Sequence, residues 1–170
     1  MITLIKNVTI FDGKKNKITN AALYFDKKII KIGNVDNSIH VDEIIDGTGC
    51  SCLPGLINMH VHIDIDPYLD FASQAKESTP GICMMRAYTN ALKHLKSGTT
   101  TIRSLGSKFD SDIELKNAIE MNIVNGPRLF ASGVPLTMTG GHGHLFSQEV
   151  DGCDEVMKAA RLQLKKGADV

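Results

Sequence analysis

At 170 residues the chain is long enough for one good core, or a core with a small satellite. Its 42% hydrophobic and 22% charged content is that of an ordinary globular protein. Nineteen basic residues balance nineteen acidic ones, so no electrostatic case exists for nucleic acid or an anionic membrane as a partner.

No run approaches the roughly 18 apolar residues of a spanning helix, and the N-terminal Met1-Ile-Thr-Leu-Ile-Lys6 has neither the basic region nor the long apolar core of a signal peptide. A cytoplasmic protein with no membrane contact is the expectation. The four cysteines (Cys50, Cys52, Cys83, Cys153) then read as reduced, buried thiols. Cys50-x-Cys52 resembles half of a metal site, but no second close pair completes it.

In chain order, residues 1–52 read as a small β subdomain. Strands are expected at Leu4 to Ile10, Ala22 to Phe25, Lys28 to Gly33 and Val41 to Asp46, separated by short turns such as Phe11-Asp12-Gly13-Lys14. An antiparallel sheet follows from that spacing. This part carries no evident chemistry, and His40 reads as a surface histidine in a polar loop.

Residues 53–170 change pattern. A short strand ending near His62 is followed by a loop from Ile65 to Pro80 and a helix opened by Ser78-Thr79-Pro80. Apolar residues Ile82, Met85, Ala91, Leu92 and Leu95 mark that helix, and Gly98 closes it. Thr99 to Leu105 is a strand, a helix runs from Asp110 to about Asn122, and Arg128 to Ala131 is a third strand. A glycine-rich loop then leads to a helix starting near Asp151, acidic at its beginning and ending in Lys165-Lys166 as the helix dipole favours. Gly167-Ala168-Asp169-Val170 reads as the opening of one more strand. Alternating strands and helices argue parallel βα units.

The chemistry centres on Pro54-Gly-Leu-Ile-Asn-Met-His60-Val-His62-Ile-Asp64. In an extended strand, side chains two apart share a face, so His60 and His62 point the same way, and Asp64 with them if the strand continues. Two neighbouring imidazoles suit one borderline-soft cation such as zinc, iron, manganese or nickel. His-x-His by itself also fits two surface histidines on an edge strand. Pro54-Gly55 reads as a turn feeding a buried strand, a poor place for two imidazoles with no task.

That stretch resembles the first barrel strand of the amidohydrolase superfamily. Ser97-Gly98-Thr99-Thr100-Thr101-Ile102-Arg103, Gly126-Pro127-Arg128-Leu129 and Thr139-Gly140-Gly141-His142-Gly143 resemble its imidazolonepropionase-like and prolidase-like branch, in family order. The resemblance implies an α/β fold: the N-terminal part of a (β/α)8 TIM barrel, its first three to four βα units, preceded by a subdomain (1–52) that belongs to a composite β-sandwich. A full barrel takes about 250 residues, so 53–170 is expected to be an incomplete barrel, truncated at strand four, and the whole chain an N-terminal fragment.

The resemblance makes His60 and His62 ligands of a divalent metal, zinc on family grounds, that lowers the pKa of a bound water and polarises the scissile carbonyl. Asp64 is expected as an acceptor for an imidazole N–H, with a plain loop carboxylate as the alternative. Arg103, at the end of the second barrel strand, would fork onto a substrate carboxylate or close an internal salt bridge. His142, then His144, would donate to a substrate carbonyl or carboxylate. The family's bridging lysine, two further histidines and base aspartate are expected beyond Val170, leaving no catalytic base within these residues. The implied activity is hydrolysis of a C–N bond in an amide, cyclic amide or Xaa-Pro peptide, with a small-molecule substrate and a homo-oligomeric state. The alternatives are an inactive module that self-associates, or an isomerase or lyase on the same scaffold. His94 sits in a helix pattern as an ordinary histidine, and no Gly-x-Ser-x-Gly elbow or P-loop is present.

Overall fold

A computed structural model describes all 170 residues, and its backbone divides into two compact units, Met1–Pro54 and Gly55–Val170. In the first unit β1 (Thr3–Phe11) is the central strand. β2 (Lys17–Phe25) and β3 (Ile29–Gly33) follow as an antiparallel meander, whereas β4 (Glu43–Asp46) and β5 (Ser51–Cys52) pair in parallel with the other edge of β1. The sheet is therefore mixed, not antiparallel throughout. Residues 34–42 carry the chain back to the start of β1, where Glu43 lies opposite Thr3 and both strands run the same way.

β1 contains a slip. Ile5 faces Leu23 and Val8 faces Ala21, three steps on β1 against two on β2. Between them Asn7 takes φ 58; a second shift follows between Val8 and Ile10, where the extra residue is on β2 and Asn20 takes φ 52. An extra residue turns the following side chains to the other face. Accordingly Leu4 packs with Ala22 and Tyr24, while Val8 and Ile10 pack with Ala21 and Leu23. β2 is thus buried on both sides along its second half.

The second unit is built on a parallel sheet of β6 (Leu56–Val61), β7 (Thr99–Ser104) and β8 (Arg128–Phe130), in that spatial order. The expected loop after β6 contains a helix, α1 (Phe71–Glu77), capped by the Asp70 carboxylate on the Ser73 N–H. α2 (Pro80–Lys96) starts on the Thr79 cap with proline in its first turn. α3 is Ser111–Glu120 and α4 is Gly152–Lys166. The glycine-rich loop is closed by a two-stranded parallel pair, β9 (Leu136–Thr137) and β10 (Gln148–Glu149).

α2 buries a different face from the one its large side chains suggest. Ile82 and Met85 are 46% and 63% exposed, while Cys83, Ala87 and Ala91 are fully buried. Three small residues at i, i+4 spacing let the helix come close to the sheet, and Val61, Ile63, Ile102, Leu115 and Leu129 fill the core there. Of the four thiols only Cys83 is buried; Cys50 and Cys153 are exposed, and Cys52 is half-buried. Gly55 enters β6 so close to Thr100 that any side chain at 55 would overlap it.

β6 and β8 each have one strand partner, so both edges of the sheet are open, and Leu56, Ile57 and Met59 are at least half exposed. Residues 167–170 form no strand, yet the Asp169 N–H donates to the Ala131 carbonyl and its carboxylate accepts from the Ala131 N–H, laying this segment along the end of β8. No helix is long and apolar enough to cross a membrane.

Candidate functional site

In a parallel α/β sheet, reactive groups belong at the C-terminal strand ends, and His60 and His62 stand at that end of β6. Their rings are 5.5 Å apart between centroids, at 71° to one another. Alternation gives the pair a common face, but not which face: Asn58, two residues before His60, is half-buried whereas His60 is exposed. Asn58 lies opposite Ile102 and Val61 opposite Ser104, three steps on β6 against two on β7. The extra residue is a bulge. Val61 and Ile63 turn into the core beyond it, and the two imidazoles stay in the open.

Two side chains meet the backbone at the bulge. The Asn58 carboxamide oxygen accepts from the His60 N–H at 3.1 Å. Arg103, on the neighbouring strand, donates its Nε–H to the Met59 carbonyl at 2.8 Å. No carboxylate pairs with Arg103, so the internal salt bridge weighed from the sequence is not formed.

His62 Nδ1 lies 3.2 Å from the Gly106 carbonyl. That acceptor assigns the proton to Nδ1 and leaves the Nε2 lone pair facing outward. Gly106 has φ +134, and a Cβ there would stand 2.5 Å from Pro135 Cγ, so this close turn needs glycine. Gly106 takes the role expected of Asp64. β6 ends at Val61 and the chain turns, which drives Asp64 inward to 1% exposure. There its Oδ2 accepts from the Lys108 N–H at 2.8 Å and its Oδ1 has no partner. Burial pushes the Asp64 carboxyl above the usual carboxylate range, against the pull of the Lys108 N–H. Burial also pushes the neighbouring Cys83 thiol up, the opposite of what a cysteine nucleophile needs.

The loop between β9 and β10 carries His142 and His144, both exposed. Asp151 accepts from the Thr139 hydroxyl and amide, and Glu149 accepts from the Gly140 N–H at 2.6 Å. His144 Nδ1 turns back to the Gly141 carbonyl at 3.2 Å. Phe146 anchors the loop against Phe71 of α1, with ring centroids 4.5 Å apart. Neither histidine joins His60 and His62: no group of three histidines, cysteines or carboxylates is arranged to hold one ion.

One carboxylate that sequence reasoning took only for a helix start organises the other strand ends. Asp112 is fully buried at the beginning of α3. Its Oδ1 accepts from the Ser107 hydroxyl at 2.6 Å, and its Oδ2 from the N–H groups of Ser132 and Gly133 at 3.1 and 3.2 Å. It ties the loop leaving β7 to the loop leaving β8. An aspartate in a first helical turn is ordinary in a sequence, and nothing local announces partners 20 residues away.

The model of the amidohydrolase family matches residues 52–170. The chain belongs to the amidohydrolase family. It is 26% identical to the ochratoxinase of Aspergillus niger over 99% of its own length and 41% of that protein's. It is 30% identical to the 5′-deoxyadenosine deaminase of Methanococcus maripaludis, over 95% of this chain and 38% of the relative. Among solved structures, a Xaa-Pro dipeptidase with methionine bound in its active site superposes with a TM-score of 0.81 at 27% identity, over 99% of this chain and 46% of that one. The chain thus spans less than half the length of the relatives it matches, and its fold is that of the N-terminal portion of an amidohydrolase barrel.

Proposed function

We propose that His60 and His62 are two ligands of a divalent metal, zinc in the first instance, in a hydrolase that cuts C–N bonds of small molecules: amides, cyclic amides or Xaa-Pro peptides. The observation that carries the reading is the paired imidazoles at the end of the first strand of an amidohydrolase sheet. The donor set suits such an ion. Both rings are exposed, and the Gly106 carbonyl leaves His62 Nε2 with its lone pair outward. It is a partial set, because no third donor stands beside the pair. When bound, the ion supplies Lewis-acid activation of water and of the carbonyl under attack.

The chain's own residues hold and orient. Gly106 fixes the His62 tautomer, Asn58 and Arg103 meet the backbone around His60, and Asp112 sets the strand-end loops. Arg103 retains guanidinium N–H groups beyond its Nε–H for a substrate carboxylate, and His142 and His144 extend from the glycine loop for a carbonyl or carboxylate. The names of the relatives support the bond class, ochratoxinase, deaminase and Xaa-Pro dipeptidase among them. Residues 1–52 are assigned to a β subdomain completed by another segment, residues 53–170 to the barrel portion, and the protein to the cytoplasm.

The test is calorimetric titration of the metal-free chain with Zn²⁺. Wild type is expected to bind one ion, and His60→Ala or His62→Ala to weaken binding at least tenfold. Equal binding by wild type and both variants overturns the reading. A second reading, self-association through the open edges of β6 and β8, rests on the exposed Leu56, Ile57 and Met59. Light scattering decides it: a monomer at all concentrations removes it.

A further inference from the structure

We propose that Asn58 and Arg103 are positioning residues that hold the β6 bulge and thereby keep His60 and His62 outside the core. The bulge is a register fact: β6 has one residue more than β7 between the Asn58–Ile102 and Val61–Ser104 pairs. An extra residue in a strand leaves backbone groups without ladder partners and frees the strand to slip by one. A slip of one in β6 would exchange its faces, sending His60 and with it His62 toward the core and bringing Val61 out.

The two side chains meet the two backbone groups at that point. Asn58 accepts from the His60 N–H, and Arg103 donates to the Met59 carbonyl on the adjacent residue. The two contacts differ in kind. The Asn58 bond spans two residues and shapes β6 locally; the Arg103 bond spans 44 residues and ties the bulge to β7. Arg103 is half-buried with no carboxylate partner, so its Nε–H is committed to the backbone. Its chain continues into Ser104, the residue opposite Val61 where normal pairing resumes. Arg103 therefore acts through the backbone carrying His60, whatever else its remaining N–H groups bind.

The importance of this device for chemistry rests on reading His60 and His62 as metal ligands; its geometry does not. The experiment separates the two. NMR on the metal-free 170-residue chain reads the His60 amide exchange rate and NOEs from the His60 ring protons to the methyls of the core residue Ile102, and Co²⁺ titration reads ligand affinity. Variants are Asn58→Ala, Asn58→Asp, Arg103→Met and, as a control, Arg128→Met, which removes the same charge from an exposed arginine on β8. Asn58→Ala and Arg103→Met are expected to speed His60 exchange at least tenfold, to bring the His60 ring within NOE range of the Ile102 methyls and to weaken Co²⁺ about ten- to a hundredfold. Asn58→Asp, which keeps the acceptor, and Arg128→Met are expected to behave as wild type. Should Arg103→Met fail to fold, Asn58→Ala decides. Unchanged exchange and NOE in Asn58→Ala and Arg103→Met overturn the proposal, even if metal binding is intact. Equal Co²⁺ uptake by wild type and His60→Ala instead overturns the metal reading and leaves exchange and NOE to judge the bulge.

Discussion

β1 and β6 both carry an extra residue beside an asparagine, and they use it differently. In β1 the backbone absorbs the bulge: Asn7 adopts φ 58, and the slip distributes Leu4 and Val8 to opposite faces so that both sides of β2 are covered. In β6 no residue has positive φ, and side chains take the load. One bulge serves packing; the other directs an imidazole out of the core. The carboxylates follow the same division. In the first unit the exposed Asp12 and Asp46 and the half-buried Asp36 close turns two to four residues away, and Asp42 and Asp46 also accept from Ile2 and Asn7, 40 and 39 residues back. Those of the second, Asp64 and Asp112, are buried and reach 44 and 20 residues along the chain. The first unit keeps its carboxylates exposed or half-exposed at turns and sheet edges, whereas the second buries Asp64 and Asp112 beneath its strand ends.

The largest expected effect tests the second half of that contrast. Asp112→Ala leaves the Ser107 hydroxyl and the Ser132 and Gly133 N–H groups without their acceptor. It should cost roughly 3–5 kcal/mol in urea unfolding; a loss below about 1 kcal/mol would break the view of Asp112 as a hub. Gly106→Ala forces a side chain onto a φ of +134 and against Pro135. A cost of about 1–3 kcal/mol is expected, together with weaker Zn²⁺ binding as the His62 acceptor moves. A stable variant with unchanged affinity would detach Gly106 from the site.

The first unit should respond to backbone conformation instead. Asn7→Val puts a β-branched residue at φ 58 and should cost about 1–2 kcal/mol, whereas Asn7→Gly should stay within about 0.5 kcal/mol of wild type. Comparable losses in both would show that the Asn7 side chain, through its bond to Asp46, matters more than its φ.

The smallest effect is the acid limb. N–H groups of Lys14, Lys15 and Asn16 hold the Asp12 carboxyl at about 2, below the usual 3.8, and hydrogen bonds from Lys31 and Ser38 lower Asp36 likewise. A lowered carboxyl contributes stability that is present above 3.8 and is lost as pH falls toward about 2. Amide exchange in β1 to β3 should therefore rise over that window, and Asp12→Ala should flatten the rise. An unchanged profile in Asp12→Ala would remove this turn from the account.

Much of the second unit was legible in the chain. The Thr79-Pro80 start and Gly98 stop of α2, the β-branched opening of β7 and the alternation of strand with helix are local signals with local causes. The pairing of His60 with His62 is legible too, from side chains two apart sharing a face; which face they take is not, because it depends on the extra residue between Asn58 and Val61. α1 was missed because its only loud signal is an aspartate cap inside a polar stretch. The buried face of α2 was misjudged because alanine and cysteine carry little hydrophobic weight in a pattern, yet fit best where a helix comes close to a sheet. Asp64 was placed beside the histidines by counting in twos, a count that ends when the strand does.

The chain by itself determined which residues sit at strand ends and which types they are, because turn chemistry, helix caps and period-two patterning act over a few neighbours. Only the tertiary structure decided which of them touch. Gly106 on His62, Arg103 on Met59 and Asp112 on Ser132 join residues 20 to 44 apart. Such contacts depend on strand register and on where a bulge falls, and a backbone N–H or carbonyl looks the same at every position of a sequence.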